Sequence, residues 1–384
     1  MPETVSKYRN TGYKNTHKTN DKKIAVALSG GIDSWAAAKI MLEDGWDVSG
    51  ITMKFFTGSF NQEDVYKPLY LPKDIEAAKK ISEQLNIPHI IVDVTEEFEK
   101  MIIEPFCLDY LKGETPNPCI ECNKYIKFGL LLKKAKALGA EFLVTGHYCK
   151  IVKSSDSDFF EVKKASDRTK DQSYFFWKLN QEQLAYIKTP LGYFSKSKIK
   201  DMAKKLFPLI PEKRESQEIC FISNNNYYDF LSKRSKNIKE GKILNTRGKI
   251  IGKHKGYPFY TIGQRKGLGI SYKKPLYVKE IIPDKNIIVA CEDKHLYQKK
   301  FTVNDINFIS GYPRDKNFRA MVKIRYKSKE SSAQINILDK NTAEVIFDEP
   351  QRAVTPGQSA VFYRNDTLLG GGIIMKSKAT SILV

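Results

Sequence analysis

Apolar positions from residue 23 onward alternate between two rhythms. Short runs such as "KIAVALS" (23–29), "DVSGITMKFF" (47–56), "IPHIIVDVT" (87–95) and "AEFLVTGHY" (140–148) read as strands. Between them, "DSWAAAKIMLEDG" (33–45), "DIEAAKKISEQLN" (74–86) and "YIKFGLLLKKAKALG" (125–139) repeat their apolar residues at helical spacing, two of them stopping at glycine. Strands alternating with helices predict an α/β domain, a parallel sheet with helices on both faces. Residues 57–73 interrupt the alternation and read as a mobile loop.

The texture changes twice more. Residues 171–235 are aromatic and read as helical, with breaks at Pro190, Pro208 and Pro211. Beyond about 238, glycine and β-formers dominate, and "PLYVKEIIPDKNIIVAC" predicts a hairpin. "RAMVKIRYKSKESSAQINILD" and "QSAVFYRNDTLLGGGIIM" have the short strands of a small barrel. The expected domains are a basic, disordered arm over 1–22 and an α/β catalytic domain over 23–237. Two small β-rich domains follow, over 238–297 and 298–384, the last a β-barrel.

Composition adds a partner. Lysine and arginine number 64 against 44 acidic residues, a net charge of +20. That imbalance favours a polyanion through phosphate neutralisation, although a basic surface also serves solubility. No apolar run reaches the roughly 20 residues of a membrane span, so no membrane partner is expected. The six cysteines make no disulfide framework, which points to a reducing, cytoplasmic setting.

Two stretches carry chemistry. In "ALSGGIDS" (27–34) a strand meets a helix through glycines, so backbone amides can approach a phosphate at the helix N-terminus. Ser29 and Ser34 add hydroxyl donors, and Asp33 can cap the helix or help hold Mg²⁺. The loop lacks the Walker lysine and is not a dinucleotide fingerprint. In "TPNPCIECNKYIKF" (115–128), Cys119 and Cys122 stand two residues apart. The pair reads as half a zinc site, a redox couple, part of an iron–sulfur site or the seat of a nucleophile. Zinc lacks its further ligands nearby. Lys124 and Lys127 can favour a thiolate electrostatically. Cys220, in "RESQEICFIS", is by default a buried structural cysteine.

The Ser-Gly-Gly-x-Asp-Ser loop resembles that of the pyrophosphate-loop (PP-loop) ATPases, which cleave ATP between its α- and β-phosphates. Taken with "GETPNPCIECNKYIKF", "LVTGHY", "KDQSYFFW", "SQEICFI", "YTIGQRKGLGI", "KIRY" and "AVTPGQSAVFY" in that order, the chain from about residue 23 resembles the tRNA-specific 2-thiouridylase family. The resemblance implies an adenine nucleotide alpha hydrolase-like fold. It implies ATP-dependent adenylation of the 2-oxo group of the wobble uridine, then replacement by sulfur from a cysteine persulfide. ATP would be bound by Ala27, Leu28, Ser29, Gly30, Gly31, Ile32, Asp33 and Ser34, with Met53 and Gly146.

Cys122 matches the family's nucleophile and Cys220 the persulfide carrier, the two able to form a disulfide during the cycle. Asn117, Pro118 and Cys119 match the segment that meets the target base. His147, Lys170, Asp171, Gln172, Arg325, Tyr326 and Gln358 match tRNA-contacting positions. The implied partners are the anticodon stem-loop of tRNA and an upstream sulfur donor, a cysteine desulfurase or relay protein, and no DNA. Some members have aspartate where this chain has Cys119. That departure leaves an alternative, a [4Fe–4S] cluster on Cys119, Cys122 and Cys220.

Overall fold

The computed structural model describes residues 22–55, 72–155, 157–206, 219–222, 226–235, 237–313 and 315–377. The arm at 1–21 and most of the loop expected at 57–73 lie outside these residues; 72 and 73 already belong to a helix.

Five parallel strands build the first sheet: β1 (Lys23–Ala27), β2 (Asp47–Lys54), β3 (His89–Asp93), β4 (Phe142–Val144) and, after a hairpin of β5 (Cys149–Lys153) and β6 (Phe160–Lys164), β7 (Ile187–Lys188). Their order is β3-β2-β1-β4-β7. Strand order reverses between β1 and β4, so the loops leaving those two strands diverge and open a crevice at their C-terminal ends. Helix α1 (Ile32–Glu43) follows β1 and is buried almost all round through Ser34, Trp35, Ala36, Ala37, Ala38, Ile40 and Met41. A helix apolar on every side belongs inside a domain. The chain leaves it through Asp44 and Gly45, whose φ of +85° only glycine adopts without strain.

Helix α2 (Pro72–Leu85) leads to β3, and a helical stretch over 95–111, α3, leads to the cysteine segment. Helix α4 then runs over 118–137. It starts earlier than the apolar rhythm predicts, because Asn117 caps it by accepting from the Cys119 amide and Pro118 occupies the first turn. Both cysteines therefore sit in the opening turns of a helix. Phe128, Leu131, Leu132 and Ala135 press this helix onto Ala25, Ile51 and Leu143 of the sheet.

Residues 171–235 follow the helical expectation in short pieces. Among the described residues they hold two 3-10 turns, a single-turn helix at Gln181–Leu184, the edge strand β7, and helices α5 (Lys196–Leu206) and α6 (Tyr227–Arg234). Aromatic residues here fill the space between domains: Tyr174, Phe176 and Trp177 are fully buried.

A four-stranded sheet follows, β8 (Gly241–Asn245), β9 (Ile250–His254), β10 (Tyr277–Ile282) and β11 (Ile287–Cys291), with the expected hairpin at β10–β11. The last domain is a closed six-stranded barrel: β12 (Tyr297–Phe308), β13 (Asn317–Lys323), β14 (Ser331–Ile337), β15 (Ala343–Arg352), β16 (Ser359–Arg364) and β17 (Thr367–Ile374), with β17 pairing back onto β12. "KIRY" is not wholly a strand: β13 ends at Lys323, and Ile324, Arg325 and Tyr326 form the turn beyond it. The β5–β6 hairpin of the first domain adds to the barrel through β17. Main-chain hydrogen bonds thus join the first domain to the last.

Candidate active site

The glycine loop lies where the crevice predicts. Ser29 donates its amide to Ser34 Oγ at 3.2 Å, and Ser34 Oγ donates to the Gly31 carbonyl at 2.9 Å, closing the turn into the helix. Gly30 has φ +74°, and a Cβ there would stand 2.8 Å from the Asp74 carbonyl oxygen. Gly146, in the loop after β4, packs on the Asp33 backbone: a Cβ would meet its carbonyl carbon at 2.8 Å. Met53 lies near the end of β2. The predicted nucleotide residues Ala27–Ser34, Met53 and Gly146 therefore gather at one end of one sheet.

Asp33 is not the helix cap. Gly31 holds that position without a side-chain bond. Both Asp33 oxygens instead accept from Lys196 Nζ, at 2.7 and 2.6 Å, and one also accepts from the Tyr148 hydroxyl at 2.8 Å. With its carboxylate so engaged, Asp33 offers no preformed Mg²⁺ ligand set.

The second half of the site is the cysteine helix. From Cys122 to Leu131 it adopts π-helical geometry, whose i→i+5 bonding brings residues five apart towards a common face. Gly129 leaves room for the Lys124 carbonyl, only 2.9 Å from where its Cβ would be. Gln183 Nε2 donates to the Lys124 and Phe128 carbonyls at 2.9 and 3.0 Å. Five residues on from Cys122 stands Lys127, not Lys124, whose ammonium lies over the Tyr125 ring instead.

Burial pushes the Cys122 thiol up to about 11, opposed by the Lys127 charge. Burial likewise raises Cys119, again opposed by Lys127. Cys220 is exposed on its outer side, while its thiol is crowded by protein. That burial pushes it up, and the nearby Cys122 and Cys119 push further. Phe221 and Ile222 pack into the same cluster as Cys122, with Met53 against it. So Cys220 does reach the Cys119–Cys122 pair, which no spacing in the chain indicates.

All six cysteines are free thiols. Among the described residues no three His, Cys, Asp or Glu stand close enough to hold a metal ion. The three thiols are thus near enough to sense one another's charge.

Lys127 joins the two halves. Its Nζ stands 3.5 Å from His147 Nε2, while His147 Nδ1 pairs with Thr145 Oγ1 at 2.8 Å. Burial and the Lys127 charge hold His147 well below the usual histidine range, so the ring is neutral at pH 7. His147 directly follows Gly146, so the line Cys122, Lys127, His147, Gly146, Asp33 runs from thiol to nucleotide loop. Lys127→Gln is expected to slow alkylation of Cys122 about tenfold at pH 8, because a nearby cation lowers a thiol pKa by about a unit. Lys124→Gln should leave the rate unchanged; equal effects would remove the assignment to Lys127.

Several predicted tRNA contacts have internal partners. The Asp171 carboxylate accepts from the Ala165 and Ser173 amides at 3.0 and 3.3 Å and from Ser173 Oγ at 2.8 Å. Gln172 Oε1 accepts from the Tyr148 amide at 2.9 Å. Tyr326 packs on Phe175, with ring centroids 4.5 Å apart, and Arg325 donates to the Arg352 carbonyl at 3.2 Å. Lys170 is half-buried at the turn before Asp171.

Gln358 Nε2 donates to the Thr115 carbonyl at 2.7 Å, and the Thr115 amide donates to the Pro356 carbonyl at 2.8 Å. The barrel therefore grips the strand of chain that enters the cysteine helix. The middle domain grips it too, through Tyr257 Oη to the Leu111 carbonyl at 2.7 Å. Sequence reasoning missed this clamp, and also the ion pairs of buried Lys178 with Glu121 (2.5 Å) and Asp305 (2.6 Å), which tie the helix to the barrel. Only the placement of Glu121 between the two cysteines hints at it.

A parallel sheet with a glycine-rich loop at its switch point, backed by a helix carrying thiols, defines a nucleotide-dependent enzyme of the pyrophosphate-loop class. Residues 22–224 match the tRNA methyl transferase HUP domain, 228–292 the tRNA methyl transferase PRC-barrel domain, and 298–374 the aminomethyltransferase beta-barrel domain. The tRNA-specific 2-thiouridylase MnmA of Carboxydothermus hydrogenoformans is 41% identical over 92% of this chain and 98% of its own. That of Clostridioides difficile is 40% identical over 93% and 99%, and MnmA 1 of Clostridium tetani 42% over 93% and 98%. The chain belongs to the tRNA-specific 2-thiouridylase family.

Proposed function

We propose that this protein is a tRNA-uridine 2-sulfurtransferase that uses ATP to replace the 2-oxygen of the wobble uridine with sulfur. The observation carrying this reading is the continuous line from Cys122 through Lys127 and His147 to the glycine loop at Gly146 and Asp33. It lets a thiol and an activated nucleotide act on one base.

The 2-oxo group attacks the α-phosphorus of ATP, and pyrophosphate leaves with the bonding electrons, stabilised by the loop amides at the start of α1. An upstream sulfur donor loads Cys220 as a persulfide. Its terminal sulfur attacks C2 of the adenylated base and AMP departs. Cys122 thiolate then attacks the Cys220 sulfur, releasing 2-thiouridine and leaving a Cys122–Cys220 disulfide for a thiol reductant to reopen. The exposed side of Cys220 suits a residue that meets a donor protein, and the buried Cys122 suits one that acts within the closed site.

Asn117, Pro118 and Cys119, at the mouth of the cysteine helix, meet the base, which leaves the anticodon loop for a few kcal/mol. The tRNA backbone is met by Lys170 and by Arg325 and Tyr326 at the end of β13. His147, Asp171, Gln172 and Gln358 shape that surface from behind, a role supported by their internal hydrogen bonds. Among the described residues no helix is long and apolar enough to cross a membrane.

The test is to incubate the protein with Mg-ATP, a persulfide donor and unmodified tRNA, and to analyse the nucleosides. 2-Thiouridine, AMP and pyrophosphate in equal amounts are expected. AMP release without thiolation, or thiolation at another position, would refute the assignment.

A further inference from the structure

Asn123 stands one residue after Cys122 and four after Cys119, in the opening turns of α4. It carries a polar amide, yet the residue is only 1% exposed. Its Nδ2 donates to the Phe175 carbonyl at 3.1 Å. Reversing the amide would set its oxygen against that carbonyl oxygen, so the bond fixes which end points where. The other end, Oδ1, is buried and has no hydrogen-bond partner among the described residues. A buried carbonyl without a donor costs stability, and an orphan of this kind points to a ligand or a water that completes it. The surroundings favour a base. The 3-10 turn that holds Asn123 also brings the Tyr174 hydroxyl to the Asn117 side chain, in the segment assigned to the target base. The Phe175 ring is half-buried against Tyr326, the kind of aromatic face on which unstacked bases rest.

We propose that Asn123 reads the Watson–Crick edge of the target base, its Oδ1 accepting the N3–H of uracil. Uracil carries a donor at N3 and cytosine a lone pair, and an amide held from behind cannot rotate to suit both. N3 adjoins C2, where sulfur enters, so the residue that directly follows the nucleophile Cys122 is well placed to meet it. Accepting from N3–H also pushes electron density onto the adjacent 2-oxo group, the atom that attacks ATP. The inference rests on reading the cysteine helix as the site of uridine thiolation. The competing account is a strap from α4 to Phe175 whose Oδ1 is completed by a trapped water.

Single-turnover thiolation by the full-length protein, on unmodified tRNA with uridine or cytidine at the wobble position, separates the two. Wild-type protein is expected to favour uridine by at least about 10³-fold. Asn123→Ala should slow thiolation of uridine about 10- to 100-fold, the range for a hydrogen bond lost at a buried polar site. The cytidine rate should change less than about threefold, because the oxygen that repels its N3 is gone as well. A strap predicts equal losses on both tRNAs. An unchanged preference, or a uridine rate within about threefold of wild type, would overturn the proposal. A second measurement needs no variant. In the complex of wild-type protein with an anticodon stem-loop isotopically labelled at N3 of the wobble uridine, NMR should show an imino proton sheltered from exchange by its acceptor. An imino proton that exchanges as fast as in the free RNA would overturn the proposal too. Wild-type protein that thiolates neither tRNA would overturn the thiolation reading and Asn123 with it, whereas an unchanged uridine preference overturns Asn123 alone.

Discussion

Cys122→Ser is expected to lower 2-thiouridine formation by about 10³-fold or more, since the hydroxyl cannot attack the Cys220 sulfur and form the disulfide that releases the thiolated base. Affinity for tRNA and for ATP should stay within about twofold, because Ser is nearly isosteric and the thiol makes no structural hydrogen bond that binding needs. Nucleoside analysis after single-turnover incubation measures the first, and equilibrium binding the second. A variant retaining a tenth of the thiolation would remove Cys122 from the chemistry.

The pH dependence follows from the same environment. Burial raises this thiol to about 11, so in the unliganded protein only about one molecule in 10⁴ carries the thiolate at pH 7. The reactive form is the deprotonated one, so alkylation of Cys122 should rise about tenfold per pH unit from 7 to 10 without levelling. A plateau below pH 8 would mean that Lys127 outweighs burial.

Gly30→Ala should be the most damaging change in the nucleotide loop. At φ +74° an L-residue costs about 1–2 kcal/mol in strain. The added Cβ would also stand 2.8 Å from the Asp74 carbonyl oxygen and 2.9 Å from Ala77 Cβ. Neither is the loose end of a flexible chain, so the loop itself must shift. Displacing a reacting group by about 1 Å lowers rates about 10²-fold. Pyrophosphate release should fall by that factor, with tRNA affinity and Cys122 alkylation unaltered. Release within about threefold of wild type would mean that the loop does not hold the phosphates.

Much of the nucleotide half was legible because its signal is local. A glycine loop between an apolar strand and a helix states its own geometry, and the resemblance supplied Met53 and Gly146. The cysteine half was legible only in part. Cys119 and Cys122 are neighbours in sequence, yet the choice of Lys127 over Lys124 depends on a helix wound to π geometry. Residue types do not announce that winding; it goes with Gly129 and with Gln183 bonding the helix's carbonyls from outside. The helical expectation for residues 171–235 held only in short pieces, for a related reason. Aromatic spacing there reflects packing against the barrel, and tertiary contact overrides propensity.

By itself the sequence determined the α/β class, the β-rich tail, the glycine-rich loop between strand and helix and the Cys119–Cys122 pair, since each is written in neighbouring residues. Tertiary structure alone decided that Cys220 comes to Cys122, that Lys196 neutralises Asp33 and that the barrel clamps Thr115. Those are contacts between positions far apart in the chain, and they exist only once the burial of apolar side chains has brought separate segments together.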